Sequence, residues 1–189
     1  INQRKGSADC DYFEYQTVSQ PASGLAGDAA LTQPYTCLQD ATIQAQNVAG
    51  GTAPYEYSID GVSFGASDTF AGLTAGTYNI TIRDAAGCTV VTNSITIDPL
   101  NPPDDLTFAA TQPTCPALVS DVTVTVSNGT APFVVEIIAP AAQAADSSSG
   151  NTATFTGLAP DTYTFRVTDD NGCTYEENFT INPVTPINV

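Results

Sequence analysis

The chain has 189 residues, with twenty Asp and Glu against four Lys and Arg, no His, Met or Trp, and a formal net charge of -16. Such a surface repels phosphate and anionic headgroups, which argues against nucleic-acid and membrane-surface partners, and no apolar run approaches the ~20 residues a spanning helix needs. Without His, no Ser–His or Cys–His nucleophile is possible, and the carboxylate pairs Asp104/Asp105, Asp169/Asp170 and Glu176/Glu177 are sequence neighbours whose side chains diverge in strands, so an enzyme is not expected.

The first stretch, "INQRKGSADC", has neither an initiator Met nor the charged and apolar regions of a secretion signal, which is the pattern of a removed leader or of a piece of a longer chain. Residues 1–21 align with residues 81–99, closing proline included, and so read as the last strand of a preceding repeat. Alternatively they are a strand donated to a neighbouring subunit, since a lone amphipathic strand is a sticky edge that must be paired. Residues 22–27 read as a linker.

Residues 28–99 form the first full repeat and residues 104–189 the second with the start of a further linker, joined by the Pro-rich segment 100–103. "FAGLTAGTYNITIRDAAGC" (70–88) returns as "FTGLAPDTYTFRVTDDNGC" (155–173), and "GTAPY" (51–55) returns as "GTAPF" (129–133). Cysteines act as a ruler: Cys10 to Cys37 and Cys88 to Cys115 are both 27 residues, and Cys10 to Cys88 and Cys37 to Cys115 are both 78. The second repeat is longer by seven residues within "APAAQAADSSSGN", which reads as a polar, flexible loop.

Thr, Val, Ile and Tyr alternate with polar residues in "YEYSID", "TYNITIRD", "VTVTV", "FVVEI" and "TYTFRVTD". That period of two, with Gly, Pro, Asn and Asp between the runs, predicts half-buried antiparallel strands. Six or seven such strands in about 75 residues predict an all-β chain of tandem immunoglobulin-like sandwiches stacked head to tail. Leu73 and Leu158 are expected in the cores, Tyr78 and Tyr163 in tyrosine corners, and Gly87 and Gly172 at positive φ in hairpin turns.

The string "GGTAPYEYSIDG", followed by "AGTYNITIRDAAGCT", resembles the SprB-type repeat of very long bacterial surface adhesins. The resemblance is strongest over residues 50–99, extends to 129–183, and departs at "NGTAPF" and at the longer loop. It implies a Cys-containing sandwich carried to the cell surface by the type IX route, serving in a stalk or adhesive fibre of gliding bacteria. The family brings no catalytic motif.

Cysteines at repeated positions in a chain of this kind point to disulfides. The usual pairing is within a repeat, Cys37 with Cys88 and Cys115 with Cys173, leaving Cys10 without a partner. However, Cys37 lies at one end of its sandwich and Cys88 at the other, roughly 26 Å apart, whereas a disulfide spans Cα separations up to about 7 Å. Head-to-tail stacking would instead join Cys37 to Cys173 between repeats. Both pairings stand at this level.

The same stacking gathers Asp40, Asp98, Asp104, Asp105, Asp169, Asp170 and Asn171 near the joint. A calcium ion takes six to eight oxygens from such clusters, although turn chemistry accounts for the same residues. Two function classes follow. One is an extracellular spacer whose partners are further copies of the repeat, in one long chain or in neighbouring filament subunits. The other is an adhesin module that binds a glycan or host surface through loop 139–152.

Overall fold

A computed structural model describes residues 24–113, 116 and 118–184, and among these every regular element is a strand. The opening strand and Cys10, like Cys115, lie outside the described residues.

The first repeat runs through β1 (Ala26–Gln33), β2 (Ala41–Ala49), β3 (Glu56–Ser58), β4 (Thr69–Leu73), β5 (Gly76–Tyr78), β6 (Thr81–Arg83), β7 (Thr89–Val91) and β8 (Ile95–Ile97). β1-β2-β4 make one sheet and β3-β6-β7 the other, with β5-β8 a two-stranded extension. In β2 the small and branched residues Ala41, Ile43 and Ala45 are buried while Thr42 and Gln44 between them are partly exposed. They meet Ile80 and Ile82, both fully buried, from the region of β6. Leu73 packs at the margin of this core.

The second repeat comprises β9 (Pro103–Ala110), β10 (Ser120–Asn128), β11 (Val134–Ala139), β12 (Gln143–Ala144), β13 (Ser147–Ser149), β14 (Thr152–Leu158), β15 (Thr162–Thr168) and β16 (Thr174–Thr180). Sheet β13-β14-β10-β9 faces sheet β12-β11-β15-β16, and every pairing is antiparallel. Val122, Val124 and Phe155 of the first sheet enclose a core with Val135, Ile137, Phe165 and Val167 of the second. The two repeats therefore have separate interiors and the same strand connectivity, that of an immunoglobulin-like sandwich.

Both tyrosine corners are present. Tyr78 Oη donates to the Thr74 carbonyl at 3.0 Å and Tyr163 Oη to the Ala159 carbonyl at 2.9 Å, each tying the loop to the strand that follows.

Two departures from the sequence reading have simple causes. The seven-residue insertion does not make a flexible loop: Gln143–Ala144 pairs with β11 and Ser147–Ser149 with β14, so it widens each sheet by one short edge strand. The turn between them is held by Asp146, whose carboxylate accepts from the backbone amide and hydroxyl of Thr156. Secondly, the stretch after Cys88 is one residue longer than that after Cys173, and the extra residue becomes a bulge. Thr81 pairs with Val91 but Tyr78 with Ile95, so two residues oppose three, whereas β15 and β16 pair in unbroken register. The bulge frees Asn93 to reach β1, where its side-chain amide accepts from Ala29 N at 2.8 Å and donates to Ala29 O at 3.1 Å. In the second repeat Glu177 makes the corresponding link by accepting from Leu106 N.

Candidate functional site

The turn between β1 and β2, residues 34–40, projects from the end of the first sandwich, and its shape is set locally. Thr36 Oγ1 accepts from the amides of Leu38 and Gln39, its own amide donates to the Gln39 carbonyl, and Gln33 Nε2 donates to the Asp40 carbonyl. This compact knuckle presents Cys37 at its tip.

It meets the β15–β16 turn, residues 169–173. Cys37 and Cys173, 136 positions apart in the sequence, are joined by a disulfide with Cα atoms 5.1 Å apart. Beside it, Cys37 N donates to the Asn171 carbonyl at 3.0 Å. Leu38 lies over Gly172, where an added Cβ would come within 2.8 Å of a leucine methyl, so this position needs glycine both for space and for its φ of 72°. A groove alongside is lined by Leu31, Pro34, Tyr35 and Ile97 of the first repeat, by Pro99 and Leu100 after it, and by Thr130 and Asn171 of the second repeat.

The receiving turn is built from the second repeat's own sequence. Asp169 is buried, with Oδ1 accepting from Cys173 N and Oδ2 from Thr130 N, so one carboxylate fastens the β15–β16 turn to the β10–β11 connection. Asp84 does the same in the first repeat, accepting from the amides of Ala86, Cys88 and Thr52. Those bonds, the Thr52 amide foremost, hold the Asp84 carboxyl below its usual value of 3.8.

Of the two cysteine pairings left open by the sequence, the inter-repeat one, Cys37 with Cys173, is formed. Cys37 is not bonded to Cys88, which is exposed with a free thiol, because the two sit at opposite ends of one sandwich. Cys173 is taken by Cys37 and so has no bond to spare for Cys115. The acidic residues do not converge as a calcium site either. Asp169 spends its oxygens on backbone amides, Asp104 accepts from Asn128 Nδ2 through both of its oxygens, and Asn171 uses its side-chain amide on Thr130. Asp98 lines the groove, Asp40 and Asp170 lie exposed on separate turns, and Asp105 is exposed on β9. Among the described residues no group of three or more His, Cys, Asp or Glu is placed to hold a metal ion.

Asp169 was placed near the joint from the sequence as a calcium candidate, but its bond to Thr130, the matching Asp84–Thr52 bond and the part played by Leu38 were not read there. The signal for the first two was present, since "GTAP" and an Asp four residues before the cysteine recur in both repeats. Residues 139–152, the loop of the alternative adhesin reading, form sheet edge and turn and carry no aromatic side chain.

No protein-family model matches the chain, and no curated protein matches it. Among solved structures it is similar to one described as "Crystal structure of tetra-tandem repeat in extending region of large adhesion protein", with 15% identity and a TM-score of 0.33. That match covers 84% of this chain and 50% of the other, so the chain spans about half the length of the structure it resembles. At that level the functional reading rests on the chain's own residues.

Proposed function

We propose that this chain is a structural segment of an extracellular surface fibre or adhesin stalk of the SprB type, whose work is to span distance and carry load. The observation that carries the reading is the joint: a disulfide, a backbone hydrogen bond and a leucine-on-glycine contact lock the end of one sandwich to the next. A cross-link between ends that a short Pro-rich connection already holds together adds little to either core. What it adds is resistance to bending and to separation under tension. A disulfide also fits an oxidising, extracellular setting, and the acidic surface keeps parallel fibres apart in solution.

Small-angle scattering with and without reductant tests this. The oxidised two-repeat protein is expected to give an elongated particle with a narrow distance distribution. Reduction, or Cys37→Ser with Cys173→Ser, should broaden that distribution while the strand signal in circular dichroism stays unchanged. An identical scattering profile after reduction would remove the staple from the argument. Binding to a glycan array through residues 139–152 would favour an adhesive module instead.

A further inference from the structure

The β6–β7 turn of the first repeat repeats the receiving turn of the second bond for bond. Asp84 N donates to Cys88 O as Asp169 N does to Cys173 O, and Gly87 N donates to Asp84 O as Gly172 N does to Asp169 O. Ala85 N donates to Thr52 O as Asp170 N does to Thr130 O, and each aspartate takes the amide of its cysteine. The surroundings agree as well. Pro132, Val134, Asp169, Asp170 and Gly172 form one side of an open groove whose other side is Thr36, Leu38 and Gln39 of the docked turn, and Pro54, Glu56, Asp84, Ala85 and Gly87 at the equivalent positions, with Arg83, line a groove in the first repeat. Among the described residues the two differ in cover. Cys173 is 2% exposed and bonded to Cys37, while Cys88 is exposed and free.

We infer that the groove formed by Pro54, Glu56, Asp84, Ala85 and Gly87 is a socket for the β1–β2 turn of another repeat of the same kind, with Cys88 as its disulfide-forming residue. The occupant has the character of Tyr35-Thr36-Cys37-Leu38: a hydroxyl-braced knuckle with a thiol at its tip, a free amide for the Ala86 carbonyl and a leucine for Gly87. One repeat later such a turn is docked on the equivalent residues through the Cys37–Cys173 bond, the Cys37 amide on the Asn171 carbonyl and Leu38 against Gly172. Arg83 is paired with Glu56 at the rim, leaving that pair close to neutral toward an incoming turn. Bond formation needs an oxidant, here a small disulfide. The Cys88 thiolate attacks it and releases one thiol, and the incoming cysteine thiolate then displaces the second; two protein thiols lose two electrons and two protons in all, and the oxidant's disulfide becomes two thiols.

The inference rests on the spacer reading and deepens it by naming what the Cys88 turn of the first repeat binds. Its test is separate from the scattering test, because the Cys37–Cys173 joint is untouched by the outcome. The full chain carrying Cys10→Ser and Cys115→Ser is equilibrated in a glutathione redox buffer with a capped peptide of residues 33–40, and the Cys88 adducts are quantified by mass spectrometry. The mixed disulfide with this peptide should be favoured at least about tenfold over that with a scrambled peptide of the same composition. Ala85→Tyr, which fills the groove from an exposed position, should abolish the preference while leaving glutathionylation of Cys88 unchanged. Equal adduct levels for the two peptides, or a preference that survives Ala85→Tyr, would overturn the socket.

Discussion

Asp84 shows how one side chain makes a turn dependable. Its carboxylate takes three backbone amides, so the charged form is favoured in the folded state and its pKa falls below 3.8. A depressed pKa contributes stability that is complete above the unfolded value and is lost as pH falls through the folded one. The first repeat is therefore expected to melt at lower temperature as the pH drops below about 4. Asp84→Asn should lower its melting point at neutral pH and flatten that acid limb. Asp60 is also depressed, by the amide of Ser63, the Ser58 hydroxyl and the amide of Val62, so the informative quantity is the difference between variant and parent. A limb of equal steepness in both would remove Asp84 from the account.

At the scale of elements, the two repeats use one plan with unequal cores. The second buries the rings of Phe155 and Phe165, packed edge to face at 5.2 Å, with Phe108 against Phe165 at 5.1 Å. The buried core cluster of the first has no aromatic ring, only Ala29, Ile43, Ala45, Ile80 and Ile82. Because stability follows apolar area removed from water, the first repeat should unfold first on heating. Phe165→Ala should cost about 3–5 kcal/mol and move only the later transition, as differential scanning calorimetry would register. If the same substitution shifted the earlier one, the cores would not be independent. The bulge gives a second expectation. Asn93→Ala removes the link to Ala29, so amide exchange along β1 should accelerate while β2 keeps its protection; unchanged exchange at Ala29 would refute that role.

For the whole molecule, the decisive feature is that one end of a sandwich fits the other end of its neighbour. Arg83 and Arg166 are committed to Glu56 and Glu136 across facing strands, so the described surface has almost no free cation, and repeats meet through a turn, a cysteine and a glycine instead of through opposite charges. Salt should accordingly have little effect on the joint, while reductant should have a large one. A contact of this kind is directional, since the β1–β2 turn of one repeat meets the β15–β16 turn of the next.

Period-two alternation, turn residues and a duplicated cysteine spacing were enough to read two β-sandwiches, their tyrosine corners and the positions of their hairpins, because each depends on residues close in sequence or on simple repetition. The seven-residue insertion was visible as a difference in length, but its conversion into edge strands was not, since pairing partners for Gln143 and Ser148 are supplied by other strands. The cysteine pairing and the fate of the acidic residues were likewise open. Which thiols lie within bonding distance, and whether an aspartate faces an ion or a backbone amide, depends on how two separately folded bodies stack. Spacing along one chain does not encode that; the tertiary structure alone decided it.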